Sequence, residues 1–295
     1  MTASELNDIS VYCGVDTVEV QSDTESTADL SNITYVHSNA HERLADGKYR
    51  YVVNPDKALG ERGIYHMNLY SSTLDGMICE MELTHPTKTR IDFRFDRFES
   101  GTYNKLLKLN TALIMLVGMK YKVKNRYISQ DMLTGRDLTA RIQNKRFEIE
   151  FYHKALQQPN GIVTSRLELR CKGIEDGADE RQELNNWFDK RFKKSVSREQ
   201  YADLQDVLNY YLWERYQEEK EDNPNLKTNE FLHKHRMRVL TKRQLMAFYE
   251  KLGYKNPSAS AREYIRTKHL ETINYSLIES YIRQLRTSAE EFLNT

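Results

Sequence analysis

Thr89–Asp96 reads TRIDFRFD, Phe147–Lys154 reads FEIEFYHK and Ser165–Arg170 reads SRLELR. In an extended strand, side chains i and i+2 share a face. The first stretch then sets Ile91, Phe93 and Phe95 against Arg90, Asp92, Arg94 and Asp96. The second sets Phe147, Ile149 and Phe151 against Glu148, Glu150, Tyr152 and Lys154, and the third sets Leu167 and Leu169 against Arg166, Glu168 and Arg170. A period of two with one apolar face describes half-buried antiparallel strands. Paired in one sheet, the three would gather acids, arginines, a lysine and a tyrosine on one surface. That inventory suits metal-assisted phosphodiester chemistry with a tyrosine nucleophile.

Outward from these strands, the loop holding Pro159, Asn160 and Gly161 makes FEIEFYHK and SRLELR a hairpin. Upstream, Cys13–Val20, Tyr49–Val53, Gly63–Ser71 and Met77–Thr84 read as strands, with turn signals at Asn54-Pro55 and Asp75-Gly76. TRIDFRFD follows closely enough to join them as a meander. Ser22–Asn32 is rich in Ser, Thr and Asp and reads as loop or short helix. Tyr103–Met119 has helical spacing at Leu106, Leu109, Leu113, Leu116 and Val117, with Ser100 or Thr102 as cap. Arg126–Thr134 and Leu138–Gln143 read as short strands. After Gly177 the pattern turns helical: Asp179–Lys194, Ser197–Glu221, Thr228–His235, Thr241–Leu252, Ser260–Thr267 and Tyr275–Leu293. The expectation is an α+β fold: a largely antiparallel catalytic domain over 1–175, a boundary near Gly173–Gly177, and a helical DNA-binding and dimerisation region over 178–295.

The 295 residues are enough for one large or two ordinary domains. Charged residues make up 29% against 39% apolar, so the chain is not of the disordered class. A net charge of +1 does not announce a nucleic-acid binder, so local clustering has to make that case. Cys13, Cys79 and Cys171 are odd in number and lack CxxC spacing, which argues against a disulfide framework or thiolate zinc site and fits a reducing cytoplasm. The polar, acidic N-terminus does not read as a signal peptide. The longest apolar run, around Thr111–Met119, falls short of the ~20 residues that span a bilayer, so no membrane is expected. No GxxxxGK[ST] loop marks an ATP motor. His37 and His41 stand i, i+4 in HSNAH without the flanking hydrophobic residues of a metal-binding pair.

In this order, the three stretches resemble the Rep-trans family, the rolling-circle replication initiators of Gram-positive plasmids; related conjugative relaxases share the catalytic pattern. Thr89, Arg90, Asp92 and Asp96 match its first strand, Ile149, Tyr152 and Lys154 its tyrosine strand after a one-residue shift, and Arg166 and Glu168 its third. Gly135-Arg136-Asp137 lies upstream, where the family often has a Gly/Ser-Arg segment. The resemblance spans roughly residues 85–175. It implies that Tyr152 attacks a DNA phosphodiester and becomes linked to the 5′ phosphate, that Asp92 and Glu168 hold a divalent metal, and that the partners are double-stranded origin DNA, single-stranded DNA, a second copy of the chain and a host helicase. The chain departs from the pattern at Glu150, where the family commonly has Arg, and at Ala155-Leu156-Gln157, where a Glu is often found. The third metal ligand is therefore open.

The chemistry of the residues agrees. A tyrosine hydroxyl, with a pKa of about 10, needs a positive neighbour, a metal or a base to act as nucleophile. Lys154 shares the face of Tyr152 and can favour the phenolate, while Glu150 can serve as base or as metal ligand. Mg²⁺ or Mn²⁺ suits the carboxylates of Asp92 and Glu168. Arg90, Arg94 or Arg166 can hold a phosphate oxygen. Set against this, alternating Arg/Asp strands are usually solvated faces with cross-strand ion pairs.

For DNA, basic residues cluster at Lys190–Lys194, at Lys120–Arg126, and at His233–Arg238 with Lys242 and Arg243. Lys234, Arg236, Arg238, Lys242 and Arg243 are the expected phosphate contacts. Thr241–Gly253 followed by Ser258–Thr267 makes a helix-turn-helix outline. Two other functions stay open beside the replication initiator: a conjugative relaxase with the same chemistry, and a non-catalytic DNA-binding replication-control protein on a diverged scaffold.

Overall fold

In the computed structural model of the chain, the three quoted stretches become Thr87–Arg97 (β4), Phe147–Tyr152 (β7) and Ser165–Lys172 (β8), neighbours in one sheet with β8 in the middle. The structure describes all residues except 1–5, 7–8, 37–41, 60–62, 100–102, 124–125, 129–138, 155–162 and 176. Tyr12–Ser22 (β1), Glu42–Arg43 (β2), Tyr49–Val53 (β3), Arg126–Ile128 (β5) and Thr139–Gln143 (β6) complete an eight-stranded sheet in the order β2-β3-β1-β4-β8-β7-β6-β5. Every pairing is antiparallel.

The alternation sorts the two faces as expected. Ile91, Phe93, Phe95, Ile149, Phe151, Leu167 and Leu169 are fully buried in one core with Leu109, Leu113 and Val117 of the Tyr103–Lys120 helix. Burying each such side chain contributes about 1.5–3 kcal/mol, so a one-residue register slip that exposed them would be prohibitive. The same core takes in Trp187 and Phe192 from a π-helical stretch, Asn186–Phe192, and Tyr281, Leu285 and Phe292 from the Tyr275–Leu293 helix. That last helix is tied to β1: Ser288 Oγ accepts from the Cys13 amide at 2.8 Å and donates to the Val11 carbonyl at 2.9 Å. The core under the sheet thus draws on residues either side of Gly173–Gly177. A second core joins Leu212 and Tyr216 of the Arg198–Asp222 helix to Phe231, Leu245, Phe248 and Tyr264 of the Thr228–Lys234, Lys242–Lys251 and Pro257–Thr267 helices.

Two expected strands are not strands. Gly63–Ser71 and Met77–Thr84 fall mostly into a helix, Met67–Glu80, and Asp75-Gly76 lies inside it rather than at a turn. Tyr70, Leu74 and Met77 repeat at i, i+4 and i+7 and are the buried positions of that helix, a period that overrides the local strand propensity. β4 therefore does not join a meander; it pairs with β1 and β8. The expected caps Ser100 and Thr102, the Gly135-Arg136-Asp137 segment, His37, His41 and the Pro159–Gly161 loop lie outside the described residues. Cys13, Cys79 and Cys171 are unpaired. Among the described residues no helix is long and apolar enough to cross a membrane.

Candidate active site

Directly opposed residues of an antiparallel pair share a face, so the register lays the polar face out as rows. One row runs Tyr12, Asp96, Arg166, Tyr152 across β1, β4, β8 and β7. The next runs Gly14, Arg94, Glu168, Glu150, and the third Thr17, Asp92, Arg170, Glu148. Arg90 stands opposite Lys172 in a fourth. Cations and anions alternate along β4 and β8, while Glu150 stands opposite Glu168 across β7 and β8.

This face is not solvated. Asp92, Arg94, Asp96, Glu148, Arg166, Glu168 and Tyr152 are all buried. Gly14 has a part in that: a Cβ there would stand 2.3 Å from the Ile64 carbonyl, so only glycine lets the segment around Ile64 lie across the sheet. Gly63, at φ +67°, turns the chain into that crossing. Tyr65 follows, and its hydroxyl donates to Asp96 at 3.0 Å.

The Tyr152 hydroxyl donates to Glu168 Oε1 at 2.5 Å. Burial, and then the Glu168 charge, push that hydroxyl far above the usual tyrosine range, so the phenol is neutral at rest. Glu150 does not reach it; its carboxylate bonds Arg170 at 2.9 Å, and burial raises its pKa. Lys154 lies with its ammonium 5.6 Å from the Tyr152 ring centre. Among the described residues it carries no ion pair, and burial followed by the Arg166 charge lowers its pKa.

Arg170 sits at the centre of four carboxylates: Glu168 at 2.6 Å, Glu150 at 2.9 Å, Asp92 at 3.4 Å, and Glu148 in direct contact. Glu150 and Glu168 are directly opposite each other, a destabilising pair of like charges unless a cation bridges them. Burial works against the guanidinium's charge, but Glu168, Asp92, Glu148 and Glu150 outweigh it and hold its pKa above the ordinary value. Arg90 grips Asp92 with two bonds, at 2.8 and 2.5 Å; even so, burial pushes the Asp92 carboxyl up to about 6. Lys172 and Arg141 each reach Glu148 at 2.7 Å, and together with Arg170 they hold its pKa low against burial. A second cluster joins Arg166 to Asp96 at 2.6 Å and to Asp16, and Arg94 to Asp96 at 3.2 Å and to Asp56.

Asp92, Glu150 and Glu168 thus come together with Tyr152, Lys154, Arg166 and Arg90. The donor type is right for a hard divalent cation. The convergence point, however, is filled by Arg170, and among the described residues no three His, Cys, Asp or Glu are arranged to hold a metal. As folded, the residues do not fit Mg²⁺ or Mn²⁺. Sequence reasoning did not single out Arg170 or Glu148 for a role, nor Asp16, Asp56 and Tyr65. Asp16 occupies a bulge between Val15 and Thr17, which alternation cannot place. Asp56 and Tyr65 arrive from loop-flanked positions whose local sequence carries no signal.

The expected DNA contacts lie on the Thr228–Lys234 and Lys242–Lys251 helices and the turn between them. Arg236, Lys242 and Arg243 are exposed. Lys234 bonds Glu219 at 2.9 Å, and Arg238 is half-buried, which lowers its pKa. The Lys242–Lys251 helix opens on a capped end: Thr241 accepts from the Gln244 amide at 3.1 Å, and the Gln244 side chain reaches back to accept from the Leu240 amide at 2.9 Å. The Pro257–Thr267 helix packs directly against it, completing the helix-turn-helix outline.

No protein-family model matches the chain, and no curated protein matches it. A solved structure described as a rolling circle replication initiator protein from Geobacillus stearothermophilus is 15% identical over 68% of this chain and 84% of that one, with a TM-score of 0.28.

Proposed function

We propose that this chain nicks and rejoins DNA through a covalent 5′-phosphotyrosine link, as an initiator of rolling-circle replication. The observation that carries the reading is the buried Tyr152 hydroxyl held at 2.5 Å by Glu168, on strands whose motifs resemble that family. Glu168 is the general base: its Oε1 takes the phenolic proton as the tyrosine oxygen attacks phosphorus. The P–O3′ bond breaks, the 3′ oxygen leaves and takes a proton from water, and the 5′ phosphate stays on Tyr152. Because the diester is exchanged rather than hydrolysed, the 3′ hydroxyl can later attack the phosphotyrosine and rejoin the strand. Lys154 meets the negative charge growing on the phosphate. Arg166, tied to Asp96 and Asp16, holds the row in which Tyr152 stands. Origin DNA is bound by the helical part through Arg236, Lys242 and Arg243, and two copies of the chain with a host helicase complete the replication round.

Incubation of the protein with a supercoiled plasmid carrying its origin, followed by denaturing electrophoresis, tests this. The wild type should give nicked circles and a protein–DNA adduct; Tyr152→Phe should give neither while staying folded. An adduct formed by the Phe variant would move the nucleophile to another tyrosine. The arginine pairing of every carboxylate on the face favours a second reading, a non-catalytic DNA-binding protein. In that case the wild type binds the origin and leaves it closed.

A further inference from the structure

Three aromatic rings cluster at the end of the row that holds the nucleophile. Tyr12 and Phe98 lie 5.1 Å apart between ring centres, Tyr12 and Tyr65 5.8 Å, and Tyr65 and Phe98 6.2 Å. Tyr65 is locked: its hydroxyl bonds Asp96 and the Arg94 guanidinium lies 4.9 Å from its ring centre. Tyr12 is the outer ring, 42% exposed in a sheet whose other face is closed by helices. It also forms part of the wall of a groove of about 640 Å³ shared with Ser10, Arg283 and Thr287.

The cluster is coupled to the chemistry by hydrogen bonds. Tyr65 donates to Asp96, which accepts from Arg166 at 2.6 Å, and Arg166 stands opposite Tyr152. Tyr12 and Tyr152 occupy the same row three strands apart, about 14 Å at the usual strand spacing. A stacked nucleic-acid strand advances about 3.4 Å per nucleotide, so that distance is within about four nucleotides. Aromatic rings stack on any base and need no base-edge recognition.

We propose that Tyr12, backed by Tyr65 and Phe98, is a stacking platform for a nucleobase of single-stranded DNA within about four nucleotides of the bond that Tyr152 cuts. The proposal rests on the nicking reading and adds a subsite to it. The Tyr12 ring, already packed against two others of which Tyr65 is fixed through Asp96, loses little freedom on binding a base. The exposed Tyr12 face next to an open groove is where that base enters. The stacked base would orient the strand so that its phosphate meets Tyr152 and Lys154.

The test uses short single-stranded oligonucleotides spanning the cut site, each with 2-aminopurine at one position. The wild type should quench 2-aminopurine at one or two positions within four nucleotides of the cut. Tyr12→Ala should abolish that quenching and weaken binding about tenfold, the value of one base–aromatic stack. Tyr12→Trp should restore both, and an abasic nucleotide at the quenched position should add no further loss to Tyr12→Ala. If the wild type nicks the oligonucleotide but Tyr12→Ala binds equally well, or quenching persists in that variant, the platform is wrong and the nicking reading stands. If the wild type neither binds nor nicks, the nicking reading falls and the platform with it.

Discussion

Replacing Arg170 with Gln removes the cation on which four carboxylates converge, three of them buried and Glu150 half-buried. The variant keeps a polar but shorter side chain and loses the charge. Glu148 retains Lys172 and Arg141, and Asp92 retains Arg90, so those two are still compensated. Glu150 and Glu168 lose the cation between them and face each other directly. Breaking a buried ion pair from one side costs about 3–5 kcal/mol, and in a chain of this size 1 kcal/mol moves the melting temperature by about 2–4 °C. The expected fall is therefore roughly 6–20 °C at pH 7.5. It should be smaller at pH 5, where the carboxyls that burial already raises, Asp92 and Glu150, take up protons and relieve the repulsion. With the guanidinium gone, the site becomes one for Mg²⁺ or Mn²⁺, and a cation at a hundred times its Kd should return about 2.7 kcal/mol. Thermal denaturation followed by circular dichroism, at both pH values with and without Mn²⁺, reads the stability. Electron paramagnetic resonance of Mn²⁺ reads the binding independently. A variant that melts within 2 °C of the wild type and binds no more Mn²⁺ than it does would refute Arg170 as the cation holding the site together.

Glu168→Gln keeps the shape of the site and removes the base, so single-turnover nicking should slow by about 10²–10⁴ while origin binding persists; an unchanged rate would assign the proton to another group. Asp92 holds its proton up to about pH 6 in the fold against an ordinary 3.8, so the folded state binds more protons in that window. The stability it contributes is full below the lower value and is lost as pH rises through the upper, about 3 kcal/mol in all. Asp92→Asn should flatten the urea midpoint between pH 4 and 6, and an unaltered pH profile would place the slope on another group. Changing Arg236, Lys242 and Arg243 together to Ala should lower the slope of log affinity for origin DNA against log salt by about one per lost phosphate contact. An unchanged slope would leave these as a solvated helix surface.

What the sequence determined alone is what depends on the period-two geometry of a strand and the 3.6-residue period of a helix. TRIDFRFD, FEIEFYHK and SRLELR divide into an apolar and a charged face whatever their neighbours are, because side-chain direction is a local property of extended backbone. The helices from Asp179 to Leu293 were legible for the same reason; periodicity placed Tyr152, Lys154, Asp92 and Glu168 on one face, and their roles came from the family resemblance. Met67–Glu80 was misread as strand: Tyr70, Leu74 and Met77 carry the helical i, i+4, i+7 period, and their packing in the core is what makes that period decide. The tertiary structure alone decided partners. Placing β8 between β4 and β7 fixes a register in which Glu168, and not Glu150, meets the Tyr152 hydroxyl, and in which Arg170 lies among four acids. Asp16, Asp56 and Tyr65 reach the same face from a bulge and from segments flanking loops. Such contacts join residues tens of positions apart, and they are selected by burial of the opposite face and by charge compensation across strands, which no local pattern encodes.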